Sequence, residues 1–159
     1  MPEVVVVGDG EAQGMAEMVR GLIGANLEDS PMRARLTSMV HGSVVLEAAD
    51  RGLSVTLSFM GNVIEVRPFA LSGVSCLQGP WLEMTKVCSG RESPLRAIAN
   101  RDLKAILLRP YLVLFVAAFA MKVPRSTYRD GSVKQSICRM LSKFCKKIVS
   151  LYPIRHRKE

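Results

Sequence analysis

The apolar run from Tyr111 to Met121 is the feature that most restricts how this chain folds. It has eleven residues and no charged side chain. A helix that crosses a bilayer needs about 20 apolar residues, so the run is too short to span one. A helix that is apolar all round is usually fully buried. The run therefore predicts either a core element of a globular domain or the wall of a ligand site.

The length and the cysteine pattern restrict the class of protein. A chain of 159 residues is typical of one compact domain with short extensions. Its start, Met1-Pro2-Glu3, lacks the basic and apolar regions of a secretory signal. The cysteines show neither CxxC pairing nor a spacing suited to zinc, and they are Cys76, Cys88, Cys138 and Cys145. We therefore expect a cytoplasmic protein with free thiols, no metal and no cofactor.

The net charge of +8 is concentrated in the C-terminal segment. Residues 1–121 hold 11 Lys and Arg against 12 Asp and Glu, a balance of −1. Residues 122–159 hold 11 Lys and Arg against 2 Asp and Glu, a balance of +9. A near-neutral body with a basic tail indicates that the tail binds an anionic partner, which is a membrane, a nucleic acid or an acidic protein.

The first residues imitate a dinucleotide-binding motif. Four β-branched residues, Val4 to Val7, precede Gly8-Asp9-Gly10, and Gly14 follows. Such a motif also needs a second buried strand after the helix. Here the helical pattern leads to Ser30-Pro31, a helix start, with no such strand. Residues 1–11 are therefore interpreted as an N-terminal arm or a short edge strand with a glycine turn.

The middle of the chain predicts an antiparallel meander. Turn sequences at Asp50-Arg51-Gly52 and Gly61-Asn62 separate three strand-like segments, which are Ser43 to Ala49, Leu53 to Met60 and Val63 to Pro68. In the second segment the apolar and polar residues alternate, which is typical of a sheet with one wet face and one covered face. A fourth strand is expected from Val74 to Gln78.

The segment that follows resembles the sterol-carrier-protein-type-2 (sterol-binding) domain family. That family has Ser-Gly, a Pro four residues after the Gly, an Ala with a bulky apolar neighbour, and a strand written Leu-Lys. The matching positions are Ser89, Gly90, Pro94, Ala97, Ile98, Leu103 and Lys104. The chain departs from the family at Arg101 and Leu107, where glycines usually flank the last strand, and at Arg109-Pro110, where a Gly-Asn turn usually follows.

The resemblance covers about residues 12–122 and implies a fold. It predicts an α+β domain with an about five-stranded, mostly antiparallel sheet, one face of which is covered by helices. A C-terminal amphipathic helix and tail, 123–159, would follow. It also implies non-catalytic binding and transfer of an apolar ligand, of the sterol, fatty acid or acyl-CoA class, in a tunnel between sheet and helices.

Seven side chains are candidates for the tunnel lining. They are Leu57, Phe59, Trp81, Leu112, Phe115, Phe119 and Met121. The alternative is that they fill the core themselves, because protein interiors pack near crystal density.

The tail predicts a basic amphipathic helix. Its apolar residues recur at helical spacing, as Val133, Ile137, Met140, Leu141, Phe144, Ile148 and Leu151. The expected membrane- or anion-binding residues are Lys134, Arg139, Lys143, Lys146 and Lys147. Such a helix is typical of an element that lies on an anionic membrane surface, which would place the protein at the periphery of a membrane. A terminal helix docked with a solvated basic face has the same pattern.

No sequence motif indicates an enzyme. Only His41 and His156 are histidines, and neither has a Ser or Cys partner in a recognised motif. HExxH, a phosphate-binding loop and an acidic metal cluster are also missing from the sequence. The alternative function is therefore an adaptor that binds nucleic acid or protein through the basic helix, on a scaffold without a ligand cavity. Nucleic acid is the less favoured partner, because few aromatic residues of the tail suit base stacking.

Overall fold

The computed structural model describes residues 1–108 and 112–122 of this chain. Within these ranges there are six strands and five helices. The strands are β1 (Glu3–Val6), β2 (His41–Ala48), β3 (Leu53–Met60), β4 (Val63–Arg67), β5 (Ser75–Gly79) and β6 (Lys104–Ile106). The helices are α1 (Gln13–Asp29), α2 (Pro31–Ser38), α3 (Trp81–Cys88), α4 (Pro94–Ala99) and α5 (Leu112–Ala120).

The strands form one mixed sheet in the order β1-β4-β3-β2-β5-β6. The predicted meander of β2, β3 and β4 is confirmed, with antiparallel pairing on both sides of β3. Its two tight turns contain Gly52 and Gly61, whose φ angles of 63° and 71° lie in the left-handed region that glycine tolerates best. The α+β fold class predicted from the sequence is therefore confirmed.

Strand number and strand direction differ from the sequence prediction. The sixth strand is β1, from the segment interpreted as an arm or a short edge strand, and it pairs parallel with β4 at the edge of the sheet. Strand β5 also pairs parallel with its neighbour β2. The chain leaving β4 crosses the sheet before it enters β5, which makes the pairing of β5 with β2 parallel, whereas β1 is joined to β2 through α1 and α2. Two of the five pairings are parallel.

Helices cover one face of the sheet. Helices α1, α3 and α5 contact the strands, and α2 packs on α1 and α5. Alternate side chains of β2 and β3 point into this layer and are buried, namely Val44, Leu46, Ala48, Val55, Leu57 and Phe59. Helix α1 supplies buried residues at i, i+4 and i+8, including Met15, Val19 and Ile23.

The other face of the sheet is polar. Ser43 and Ser58, paired across β2 and β3, have their hydroxyl oxygens 2.8 Å apart in a hydrogen bond. The Thr56 hydroxyl donates to the carbonyl oxygen of Phe69 at 2.6 Å and accepts from the N–H of Leu71 at 3.1 Å. The crossing segment after β4 is therefore held to this face by the Thr56 side chain of β3.

The glycines after β1 serve a contact between two segments of the chain. A Cβ atom at Gly10 would collide with the carbonyl oxygen of Pro68. Close approach of a phosphate is the reason for glycine in a dinucleotide motif. Here Gly10 instead allows the close approach of the segment that follows β4, so the structure gives the motif a packing explanation.

The segment that carries the family resemblance folds much as its residues predict. Gly90 follows α3 with a φ of 73°, and Pro94 is the first residue of α4. Ala97 is buried, and Ile98 packs against the core. Ser93 stands at the N-cap of α4, but its side chain makes no capping hydrogen bond.

Candidate functional site

Helix α5 forms from the apolar run and lies against the start of β2. Its sheet-facing side is made of small residues, including Val113, Ala117 and Ala120, all buried. Gly42 has a φ of 139°, and a Cβ atom there would lie only 2.7 Å from Cγ2 of Val113. A glycine at this position therefore allows α5 to approach β2 closely.

Two polar side chains hold the C-terminal end of α5. Asn26 Nδ2 donates to the carbonyl oxygen of Ala120 at 2.9 Å, and Asn26 is 1% exposed. Arg33 Nη1 donates to the carbonyl oxygen of Lys122 at 3.2 Å. The last carbonyls of a helix have no partner within the helix, so these bonds satisfy groups that would otherwise remain without one.

Arg33 places a positive charge beside this apolar helix. It is 8% exposed, and its guanidinium lies over the ring of Phe119, 5.5 Å from the centroid. Among the described residues no carboxylate oxygen lies within ion-pair distance of it. Burial lowers the pKa of Arg33, and the charge of Asp29 partly opposes that shift. The sequence patterns did not indicate this residue, because its contacts are with α5, far along the chain.

The structure places the seven predicted lining residues in different surroundings. Leu57, Phe59 and Met121 are fully buried in the core. Phe115 and Phe119 are half-buried on α5. Leu112, at the start of the same helix, is 60% exposed. Leu112, Phe115, Phe119 and Met121 therefore lie on α5 or directly after it, whereas Leu57 and Phe59 lie on β3.

Trp81 lies at the other end of the sheet. Its backbone N–H donates to Oδ1 of Asp50 at 2.7 Å, and the guanidinium of Arg51 lies 5.4 Å from the centre of its ring. Trp81 comes two residues after Gly79, which pairs with Ala48, the last residue of β2. Helix α5 instead contacts Gly42, the second residue of β2. The length of β2 separates the two regions by about 20 Å.

A cleft of about 390 Å³ lies beside α2 rather than between α5 and the sheet. Its lining residues are Met1, Pro2, Leu27, Glu28, Pro31, Ala34, Arg35, Ser38 and Asn62. None of the seven predicted lining residues contributes to it. On the helix-covered face of the sheet, the side chains of Leu57 and Phe59 are themselves buried among core residues.

Five exposed apolar side chains lie at the end of the sheet where α5 begins. We call this set the apolar end, and it consists of Leu36, Met39, Met60, Leu108 and Leu112. They come from four parts of the chain, which are α2 with the residue after it, β3, the segment that follows β6, and α5. No single periodic pattern in the sequence therefore contains them. Only Leu112 among them was predicted to contact a ligand.

The two described cysteines are weak nucleophiles. Burial raises the pKa of Cys76 to about 12, and the negative charge of Glu47 and a hydrogen bond to it add to this rise. Burial alone raises the pKa of Cys88 to about 12. Within residues 1–108 and 112–122, no group of three His, Cys, Asp or Glu side chains is arranged to hold a metal ion. Nor does any described helix have the length and apolar character needed to cross a bilayer.

The five predicted anion-binding residues of the tail lie outside the described residues. They are Lys134, Arg139, Lys143, Lys146 and Lys147. Their role, and the domain division at residue 123, remain predictions.

Comparison with known proteins gives likeness to solved structures only. No protein-family model matches the chain, and no curated protein matches it. A crystal structure of sterol carrier protein 2 matches with a TM-score of 0.46 and 15% identity, over 70% of this chain and 96% of that chain. A UbiJ-SCP2 ubiquinone synthesis protein matches with a TM-score of 0.47 and 17% identity, over 72% and 96%.

A third match is the solution structure of a conserved hypothetical protein from Thermus thermophilus. Its TM-score is 0.43 and its identity is 15%, over 78% of this chain and 98% of that chain. The descriptions of all three matches mention a sterol carrier protein or SCP2. At these identities the likeness concerns the fold alone.

Proposed function

We propose that this protein binds and carries a lipid, without a catalytic step, and that the ligand lies against α5. The observation that supports the proposal most is the character of this helix, which has nine residues and not one polar side chain. A helix that is apolar all round is normally buried on every side. Here the sheet and helices α1 and α2 cover part of α5, and Phe115, Val116 and Phe119 on it are half-buried.

An acyl chain on this surface can supply enough binding free energy. Burial of about twelve methylenes, at about 0.8 kcal/mol each, gives on the order of 10 kcal/mol before ordering costs. A micromolar dissociation constant corresponds to about 8 kcal/mol. Phe115 and Phe119 are proposed as the first contacts. Leu57, Phe59 and Met121 become contacts when α5 moves away from the sheet, which opens the predicted tunnel.

The charge of Arg33 favours a ligand with an acidic head group. Its guanidinium has five N–H donors, and one of them is used by the carbonyl oxygen of Lys122. A carboxylate can accept bidentate hydrogen bonds from such a group. Within the predicted ligand classes, a fatty acid therefore fits α5 better than a neutral sterol.

Titration with a fluorescent fatty acid tests the proposal. Wild-type protein is expected to bind it saturably in the micromolar range, and Phe119→Gln is expected to bind it at least tenfold more weakly. Leu82→Gln is the matched control, because Leu82 is 65% exposed on α3, next to Trp81 and distant from α5. Equal affinity of the folded Phe119→Gln variant and the wild type would contradict the site.

The adaptor function remains the second candidate, and the +9 balance of residues 122–159 favours it. Extraction of the purified protein with organic solvent separates the two. A copurified lipid supports the carrier, whereas an empty extract with salt-sensitive retention on heparin supports binding of nucleic acid. Location in the cytoplasm and approach to a membrane through the basic tail remain predictions.

A further inference from the structure

Helix α5 carries an apolar stripe on the side that faces away from its buried residues. Leu112, Phe115 and Phe119 stand at i, i+3 and i+7, so they lie on one face of the helix. Val113 and Ala117, on the opposite face, are buried. Leu112 is 60% exposed, and the two phenylalanines are half-buried. The stripe is about 10 Å long, because a helix rises about 1.5 Å per residue.

The chain that contains α2 runs beside this helix from its C-terminal end to its N-terminal end. Arg33, in the first turn of α2, contacts the ring of Phe119 and the carbonyl oxygen of Lys122. Gly42, four residues after the end of α2, packs against Val113 at the start of α5. The Arg33 guanidinium therefore lies at one end of the stripe and not along its length.

The Phe119 end of the stripe has a full positive charge in a buried setting. Arg33 is 8% exposed, and its guanidinium lies 5.5 Å from the centroid of the Phe119 ring. No carboxylate oxygen of residues 1–108 or 112–122 is within ion-pair distance of it. The charge of Asp29 acts on Arg33 from a greater distance, and Asp29 is exposed, so solvent screens it. A ligand carboxylate is therefore attracted to this end.

The Leu112 end attracts a carboxylate less. A helix N-terminus carries only about half an elementary charge, and α5 begins at the exposed Leu112. His41 lies near this end, but successive strand residues point to opposite faces of a sheet, and Gly42 is the one that faces α5. The His41 Nε2 is 3.6 Å from the position that a Cβ atom would take at Gly61. Arg35 lines the cleft described above.

We propose that a fatty acid lies along α5 in one direction, with its carboxylate on Arg33 and its methyl end toward Leu112. The inference rests on the proposed function and adds the direction of the ligand and a role for Leu112. An extended chain advances by about 1.25 Å per methylene, so about eight methylenes reach from Phe119 to Leu112. Leu112 therefore distinguishes acyl chains by length, because a chain of roughly ten or more carbons contacts it and a shorter one ends before it.

Competition of octanoate and hexadecanoate with a fluorescent fatty acid tests the direction on the full chain. Leu112→Gln is expected to weaken hexadecanoate at least about fourfold, the effect of one methylene left in water, and octanoate less than about twofold. Phe119→Gln is expected to weaken both acids, because both lie on the ring beside Arg33. Leu82→Gln, changed at an equally exposed leucine on α3, is expected to bind both acids as the wild type does.

A loss in Leu112→Gln that is equal for the two acids, or larger for octanoate, would overturn the direction. A spin label gives a second readout. A label next to the carboxylate is expected to broaden the amide signal of Phe119 more than that of Leu112, and a label about nine methylenes further along is expected to reverse this order. The same order for both labels would also overturn the direction. A wild type that binds neither acid would instead contradict the proposed function itself, so the two failures are distinguished.

Discussion

Asn26 on α1 holds the end of α5 through one buried hydrogen bond, from its Nδ2 to the carbonyl oxygen of Ala120 at 2.9 Å. The two residues are 94 positions apart in the sequence. The bond connects α1, the longest helix among the described residues, to the apolar helix that we propose as the ligand contact. It is therefore a direct way to alter the attachment of α5 without changing its apolar surface.

Replacement of Asn26 by Ala is expected to lower the free energy of unfolding by about 1 to 3 kcal/mol. The reason is that the carbonyl oxygen of Ala120 loses its partner in a buried position. Urea denaturation followed by circular dichroism measures the change. Asn100→Ala is the control, because Asn100 is exposed after α4, and a similar loss there would show that the buried bond is not the cause.

Arg101 is held in a conformation that suits glycine. Among the described residues it is the one non-glycine residue with a positive φ, at 67°. The sterol-carrier family usually has glycine at this position. Arg101 in its place therefore puts a side chain on a strained backbone conformation. Arg101→Gly is expected to raise the free energy of unfolding by about 0.5 to 1 kcal/mol, the relief of strain less the added entropy of the unfolded chain.

A thermal melt measures this gain as a rise in Tm of a few degrees. Arg91→Gly is the matched control, since Arg91 is also exposed and has no positive φ. It is expected to leave Tm unchanged or to lower it. A Tm for Arg101→Gly at or below that of the wild type would show that the strain is not significant.

Arg33 is expected to determine which head group binds. Replacement by Gln removes the charge, and the affinity for a fatty acid is then expected to fall about tenfold or more, the value of a charge-assisted hydrogen bond. The affinity for the fatty alcohol of equal length is expected to change little. Competition with a fluorescent fatty acid gives both values. Equal losses for acid and alcohol would mean that Arg33 only supports the packing of Phe119.

The buried thiols predict a loss of stability at alkaline pH. The pKa values of Cys76 and Cys88 are raised from 9.0 to about 12, so between these values the unfolded chain loses thiol protons that the folded chain keeps. The free energy of unfolding should therefore be maintained below pH 9.0 and fall as the pH rises above it.

Urea titrations at neutral and alkaline pH measure this fall. Cys88→Ala is expected to be less stable at neutral pH, because it leaves a small cavity, but to lose less stability on going to alkaline pH. The same alkaline loss in the wild type and in Cys88→Ala would assign the effect to other groups.

The sequence predicted those parts of the fold that depend on local signals. The meander followed from Gly52 and Gly61 at tight turns, and α2 followed from Ser30-Pro31, where the Ser30 hydroxyl accepts from the N–H of Arg33 at 3.4 Å. The parallel pairing of β1 with β4 was not predicted. It depends on a contact across about 60 residues, and four valines in a row fit an arm as well as an edge strand.

The elements of the proposed site also divide into those with a local sequence signal and those that depend on contacts far along the chain. An apolar run of eleven residues identified α5, because burial leaves a strong pattern in the sequence. Arg33 and Asn26 were missed, since each appears in a helix as an ordinary polar residue, and their partners are far along the chain. Trp81 was assigned to the site on residue type alone, and the structure places it beside Arg51.

Paramagnetic broadening by a spin-labelled fatty acid tests the central claim, that the ligand lies against α5, most directly. In an amide NMR spectrum of the full chain, the label is expected to broaden the signals of Ala117, Ala118 and Phe119 in proportion to occupancy. The signals of Leu82 and Lys86 on α3 are expected to remain sharp. Saturable broadening centred on α3, or no saturable broadening at all, would contradict the assignment of α5 as the lipid-binding element.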